Sequence, residues 1–249
     1  SRIMVQRIDG GEPRPLTLTP GRPDSQLWSP DSSQIAGLMR LDDAHVVQIY
    51  PAFFGGVPVQ SISLGSGLGT AELVRWIGRD IYVRAQLRGT TGVTIRRISL
   101  DSPGAGTSIS DAWKVEGNIR SVDIKPDGRS AIVAVASNGP EHLWTINIDG
   151  SSPRQLTNEA FFDRYPRWIG DSNRVMFQSN RGGQADLWQI DVDTRVMTPL
   201  TSGGGEEVPE SSSADGRILS FQQLAKDANL WASGAAAAQI TQDSLSDYT

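Results

Sequence analysis

The stretch YPRWIGDSNRVMFQSNRGGQADLWQIDVDTRVMTPLT, residues 165–201, combines turn and strand signals in a fixed order. An aromatic residue precedes an Asp-containing turn, two alternating segments follow, and the stretch ends in Pro-Leu-Thr. Alternation of apolar and polar residues over such short segments is typical of half-buried strands. An Asp-rich tetrapeptide between them favours a tight turn. The stretch therefore predicts a small antiparallel sheet.

The same pattern recurs along the chain. Its period is about 44 residues, and periods of about 20 to 50 residues indicate arrays whose units bury their apolar faces together. The turn copies are WSPDSS from Trp28, IKPDGR from Ile124, WIGDSN from Trp168 and SSADGR from Ser212, with WIGRD from Trp76 as a looser copy. Four short strands per unit, separated by turns and without helical periodicity, describe one blade of a propeller.

The repeat predicts an all-β fold, a β-propeller of six blades with four antiparallel strands each. We expect a single domain over residues 1–249, in which one blade is incomplete or is closed by both termini. The blades are expected at about 18–65, 66–110, 111–157, 158–201 and 202–241, with 1–17 and 242–249 contributing to a sixth. A ring of five blades, or of more blades in a longer parent chain, stays possible.

These units resemble the TolB-type β-propeller repeat family, whose blades read P-x-W-S-P-D-G, then D-L-W-x-x-D, then P-R-x-L-T. The match is close over residues 121–157 and 168–201 and weaker over 66–110, where TIRRISLD replaces the Leu-Trp element. The resemblance implies a non-catalytic cell-envelope scaffold that binds a protein or peptide at the loop face and central funnel. It also implies a periplasmic or extracytoplasmic location. The sensor part of a larger regulator is a related interpretation.

The composition of the chain excludes some classes of binding partner. The net charge is -5, from 23 Lys+Arg and 28 Asp+Glu, and the chain contains no basic block that could follow a phosphate backbone. We therefore expect no nucleic-acid partner. The absence of cysteine rules out disulfides, thiolate metal ligands and cysteine nucleophiles. No apolar run is long enough for a membrane helix, so no direct membrane insertion is expected. The oligomeric state stays open.

The sequence predicts no catalytic residue, no metal site and no cofactor. The two histidines, His45 and His142, fall in non-neighbouring blades, so they cannot converge on one metal. Asp191 and Asp193 are interpreted as turn residues rather than calcium ligands. No Gly-x-Ser-x-Gly elbow occurs. The alternative that stays open is a propeller lyase or hydrolase acting on a saccharide or lactone through a channel metal.

Loops on a rigid scaffold are where recognition is usually built. The predicted partner-binding residues combine aromatic and guanidinium groups, which are enriched at binding hot spots, with an acidic rim. They are Phe161, Phe162, Arg164, Tyr165 and Arg181, and for the rim Glu206, Glu207 and Glu210. For each phenylalanine, wedging between blades is an equal alternative.

The tryptophans recur at two registers of the repeat, which favours packing between blades over a ligand platform. The first register holds Trp28, Trp76 and Trp168, and the second holds Trp144, Trp188 and Trp231.

Overall fold

The computed structural model describes residues 3–6, 12–16, 22–53, 56–203, 205–224, 228–233 and 238–239. The chain divides into two compact units, Ser1–Ala112 and Trp113–Thr249. Their regular structure is almost entirely strand, as the alternating pattern predicts; the exception among the described residues is a single 3-10 turn, Ser110–Ala112.

In the first unit, a two-stranded sheet precedes two four-stranded sheets. The short sheet pairs β1 (Met4–Val5) with β2 (Arg14–Pro15). The next sheet contains β3 (Arg22–Trp28), β4 (Gln34–Leu41), β5 (Ala44–Pro51) and β6 (Gln60–Ser66). The third contains β7 (Leu68–Ile77), β8 (Asp80–Leu87), β9 (Val93–Ser99) and β10 (Thr107–Ser108).

The second unit contains three four-stranded sheets. The first comprises β11 (Asn118–Ile124), β12 (Ser130–Ala136), β13 (Glu141–Asn147) and β14 (Arg154–Gln155). The second comprises β15 (Asp163–Trp168), β16 (Arg174–Ser179), β17 (Asp186–Asp191) and β18 (Met197–Pro199). The third comprises β19 (Glu206–Ser212), β20 (Leu219–Leu224), β21 (Ala228–Ser233) and β22 (Ala238–Gln239).

Each four-stranded sheet is an antiparallel meander whose strands pair in chain order, the arrangement of a propeller blade. The Asp-containing turns join first and second strands. Asp127 Oδ1 accepts a hydrogen bond from the backbone N–H of Arg129 at 2.9 Å, and Asp215 Oδ1 accepts one from Arg217 at 3.1 Å. Gly128 adopts φ 70°, which glycine tolerates without strain. The turn chemistry predicted from the repeat is therefore present.

The apolar core lies between successive sheets, because one sheet cannot bury both of its faces. In the first unit, Leu38 and Val47 of one blade cluster with Leu73 and Val83 of the next. In the second unit, an equivalent cluster joins the blade of β11–β14 to that of β15–β18; it contains Ile132, Leu143, Leu156, Trp168, Phe177 and Ile190. Stacking of neighbouring repeats thus supplies the burial that the period predicts.

The two tryptophan registers pack differently. Trp76 and Trp168 are buried, as predicted, but Trp28 is 49% exposed, so the packing interpretation is wrong for this copy. Trp144 and Trp188 are half-buried. The side chain of Trp231 lies outside the described part of the chain, as do residues 242–249, which were expected to contribute to a sixth blade.

A β-bulge interrupts the first strand of every four-stranded sheet. The register between first and second strands shifts between Pro23 and Ser25, Leu73 and Arg75, Ile119 and Ser121, Arg164 and Arg167, and Pro209 and Ser211. A bulge bends its strand and redirects the side chain of the unpaired residue. Its recurrence makes it a feature of the repeat.

Candidate partner-binding site

In the second unit, the bulges place three polar side chains in one row. The residues at the bulges are Arg120 in β11, Tyr165 with Pro166 in β15, and Glu210 in β19. These first strands contact one another in chain order, β11 against β15 and β15 against β19. Arg120 and Glu210 are exposed, and Tyr165 is 37% exposed. We refer to Arg120, Tyr165 and Glu210 as the bulge row.

Hydrogen bonds between neighbouring first strands fix the bulge row. The backbone N–H of Tyr165 donates to Ser121 Oγ at 3.2 Å, and Arg167 Nε donates to the backbone oxygen of Glu210 at 3.1 Å. Tyr165 has φ 50°, a left-handed conformation that is uncommon outside glycine. Strained backbone of this kind often occurs at binding sites. The row therefore rests on ordered backbone rather than on a free loop.

Arg164 extends the bulge row with a cation stacked on an aromatic ring. Its guanidinium carbon lies 4.0 Å from the centre of the Phe162 ring, within the range of a cation–π contact. Its Nε lies 3.5 Å from Glu141 Oε1 of the preceding blade, and this buried nitrogen forms no hydrogen bond within the described residues. Burial raises the pKa of Glu141, while Arg164 and Arg120 oppose that rise. Together, the bulge row, Glu141, Phe162 and Arg164 form what we call the bulge face.

Arg181 lies behind this face. Its side chain is only 9% exposed and contacts both oxygens of Asp163, which is 0% exposed, at 2.9 and 3.1 Å. A second ion pair joins it to Glu159 at 2.9 Å. Its guanidinium also lies 5.5 to 5.7 Å from the ring centres of Phe161, Phe177 and Trp188. These contacts tie the segment before β15 to the blade, and partner binding by Phe161 and Arg181 stays a prediction.

The three glutamates predicted as an acidic rim occupy different environments. Glu206 and Glu210 are exposed, but Glu207 is only 3% exposed. The Thr201 hydroxyl donates to the Glu207 carboxylate. Burial raises the pKa of Glu207, and the nearby Asp186 carboxylate raises it further. Glu206 and Glu210 are thus exposed at the surface, whereas Glu207 is covered by its own blade, and partner binding by all three stays a prediction.

The sequence pattern did not point to Arg120 or Glu141. Arg120 lies four residues before its turn anchor Ile124, whereas Tyr165 lies three before Trp168 and Glu210 two before Ser212, so the repeat does not fix the position of the bulge. Glu141 lies in a different strand from the bulges. Its contact with Arg164 depends on how two blades stack, which the sequence pattern does not specify.

Among the described residues, no group of three or more His, Asp or Glu side chains could hold a metal ion. Asp191 accepts hydrogen bonds from the backbone N–H groups of Asp193 and Thr194, as expected of a turn residue. No helix in the described part of the chain is both long and apolar enough to cross a membrane.

The family model described as the TolB beta propeller domain matches residues 105–247, more than half of the chain. The chain belongs to the TolB β-propeller family. Solved TolB structures confirm the fold. A TolB-type protein of Agrobacterium tumefaciens aligns with a TM-score of 0.73 at 14% identity, covering 92% of this chain and 84% of its own. TolB of Acinetobacter baumannii aligns with a TM-score of 0.74 at 16% identity, covering 97% of this chain and 60% of its own.

This family membership confirms the predicted all-β propeller. In the described residues, five blades have four strands and the β1–β2 pair represents an incomplete sixth. A puromycin hydrolase mutant complexed with PGG also shares the fold, with a TM-score of 0.63 at 15% identity over 96% of this chain and 41% of its own.

Two curated relatives match at higher identity over shorter segments. Dipeptidyl-peptidase 5 of Porphyromonas gingivalis is 30% identical over 97 residues, covering 34% of this chain. An uncharacterized protein of Agrobacterium fabrum is 31% identical over 94 residues, covering 37% of this chain. The matches span 14% and 31% of these relatives' own lengths.

Proposed function

We propose that this TolB-family propeller is a non-catalytic scaffold that binds a protein or peptide partner through the bulge face. The observation that carries the proposal is the Arg164 guanidinium stacked on Phe162 beside the exposed ring of Tyr165. Tyrosine and arginine are the residue types most enriched at binding hot spots. A periplasmic or extracytoplasmic location belongs to the proposal, as does its variant, the sensor part of a larger regulator.

The charges on the bulge face favour a particular partner chemistry. Arg164 has one carboxylate neighbour, at 3.5 Å, and its side chain is 35% exposed. A carboxylate from a partner would pair with the exposed part of this guanidinium, since arginine and carboxylate form strong charge-assisted hydrogen bonds. The ring of Tyr165 would pack against an adjacent apolar side chain. We therefore expect the partner segment to carry an acidic residue next to an apolar one.

The predicted site residues take two roles in this proposal. Phe162, Arg164, Tyr165, Glu206 and Glu210 contact the partner. Phe161, Arg181 and Glu207 are positioning residues, since their side chains are partly or almost wholly covered by their own blade.

Affinity capture from a cell-envelope extract of the source organism tests this proposal. Wild-type protein is compared with Arg164→Ala and with Arg195→Ala, an exposed arginine in the turn after β17. We expect a partner that wild type and Arg195→Ala enrich equally and that Arg164→Ala loses by about tenfold or more, as for a hot-spot truncation. Equal recovery by all three proteins would contradict the assignment of the bulge face.

The match to dipeptidyl-peptidase 5 favours a second candidate, in which the chain is the propeller part of a larger peptidase. The catalytic residues would then lie in another part of that protein. The other enzyme assignment is a lyase or hydrolase acting on a saccharide or lactone with a channel metal. Elemental analysis and turnover assays on the purified chain distinguish these candidates, since only the latter predicts bound metal and activity in this chain alone.

A further inference from the structure

A polar cleft of about 260 Å³ lies between the second unit's first two blades, at the end of β15 opposite to Arg164. The cleft therefore has room for a small solute. Trp168 lines it together with Lys125, Arg154 and Asn173. Nothing in the proposed partner binding uses this cleft.

Two cations from the preceding blade reach across the cleft. Lys125 Nζ donates to Asn173 Oδ1 at 2.5 Å, and Arg154 Nη2 donates to the backbone oxygen of Val192 at 2.7 Å. Both acceptors are neutral. They hold the cations in place without neutralising their charge.

The carboxylates near these cations neutralise them only weakly. Lys125 pairs with Asp127, whose oxygen lies at 4.0 Å, the outer limit of an ion pair, and the Lys125 side chain is only 15% exposed. Arg154 is half-buried and forms no ion pair with any residue in the described ranges. Asp193 at the cleft rim is exposed and accepts a hydrogen bond from Asn173. Lys125 and Arg154 therefore retain much of their positive charge at the cleft.

Trp168 supplies an independent observation. It is 3% exposed, and its indole Nε1 has no hydrogen-bond partner within the described part of the chain. A buried tryptophan N–H usually finds an acceptor, and leaving it without one has a free-energy cost. Lys125 Nζ lies 5.2 Å from the centre of the same ring. The cleft is therefore lined by Trp168, whose indole N–H has no acceptor within the described residues, and by two incompletely neutralised cations.

From this arrangement we infer that the cleft binds a small oxyanion, carried on a solute with a carboxylate or phosphate group. Lys125 and Arg154 contact the oxyanion, and the Trp168 indole N–H donates to one of its oxygens. The amide of Asn173 and the hydroxyl groups lining the cleft, such as that of Thr145, suit the polar remainder of the solute. The cleft is separate from the bulge face, so a negative result for one of the two proposals leaves the other unaffected.

Proton–nitrogen NMR spectroscopy of the indole groups tests this inference. The chain has seven tryptophans, and the indole signal lost in Trp168→Phe identifies Trp168. Wild-type protein is titrated separately with inorganic phosphate and with succinate at constant ionic strength, with sodium chloride as the control. We expect at least one of these anions to shift the Trp168 signal saturably, with a Kd of about 1 mM or tighter, while chloride leaves it in place. The responding anion distinguishes phosphate from carboxylate ligands.

Charge-removing variants complete the test. Lys125→Met keeps an aliphatic chain on the Trp168 ring but removes the charge, and Arg154→Gln keeps a hydrogen-bond donor toward Val192. Each is expected to weaken binding by about tenfold or more, in line with the loss of a charge-assisted hydrogen bond. Lys114→Met, at an exposed site outside the cleft, leaves binding unchanged. A Trp168 signal that neither anion shifts, or a Kd unchanged in both cleft variants, overturns the inference.

Discussion

Replacing Arg181 with methionine should destabilise the second unit strongly. The substitution keeps apolar contact with Phe177 and Trp188 but leaves Asp163, which is 0% exposed, without its counter-ion. Removing one partner of a buried ion pair costs about 3–5 kcal/mol, because the remaining charge stays desolvated. The contact with the half-exposed Glu159 adds at most about 1 kcal/mol. We therefore expect the free energy of unfolding to fall by about 3–5 kcal/mol.

Urea denaturation followed by tryptophan fluorescence measures this loss. With an m-value of about 3 kcal/mol per M, the midpoint of Arg181→Met should fall by about 1 M or more. The matched control is Arg217→Met, since Arg217 is 86% exposed and its pairing with Asp215 is long, at 3.8 Å. This control should lose less than about 1 kcal/mol.

A double variant separates the ion pair from simple loss of packing. Adding Asp163→Asn to Arg181→Met removes the unpaired charge, so at least half of the lost stability should return. If Arg181→Met were no more destabilising than Arg217→Met, or if the double variant were less stable than the single one, the structural role assigned to Arg181 would be wrong.

Three further changes test other parts of the structure. Burial raises the pKa of Glu207 above its usual 4.5, so the folded state binds the proton more readily than the unfolded state does. The protein therefore loses stability as the pH rises from 4.5 through that raised pKa. Glu207→Gln should raise the Tm at pH 7.5, and this gain should disappear near pH 4. Gly117 has φ 127°, and a Cβ there would meet the Ala136 oxygen at 2.5 Å, so Gly117→Ala should cost about 1–3 kcal/mol in urea denaturation. Phe177 is fully buried between two blades, and Phe177→Ala should cost about 3–5 kcal/mol in the same assay, whereas a loss below 1 kcal/mol would contradict its placement.

Much of the fold could be predicted from the sequence because the repeat encodes it locally. The Asp turns depend on neighbouring residues alone, and the structure shows them. The second strands β12 and β16 are buried along almost their whole length rather than on alternate residues, because each lies inside its sheet and is covered on both faces. The exposure of Trp28 could not be predicted, since its register is that of the buried Trp168. Trp28 and Trp168 differ in what packs around their blades, and the register of the repeat does not specify that packing.

Less of the candidate site than of the fold could be predicted from the sequence. Residue type drew attention to both Arg164 and Arg181, but the two side chains lie in different environments. Asp163, adjacent to Arg164 on β15, points to the opposite side of the strand and meets Arg181, as strand alternation requires. That separation follows from strand register and blade stacking rather than from residue type.

Photo-crosslinking from position 165 shows whether a partner binds at the bulge face. A photoreactive phenylalanine analogue replaces Tyr165 in one protein and Arg195, in the turn after β17, in another. Both proteins are irradiated in the cells that produce the natural protein. We predict a discrete crosslinked protein or peptide from position 165, absent from position 195 and lost when Arg164→Ala is added. Crosslinks that are the same from both positions, or no crosslink from position 165, would contradict partner binding at the bulge face.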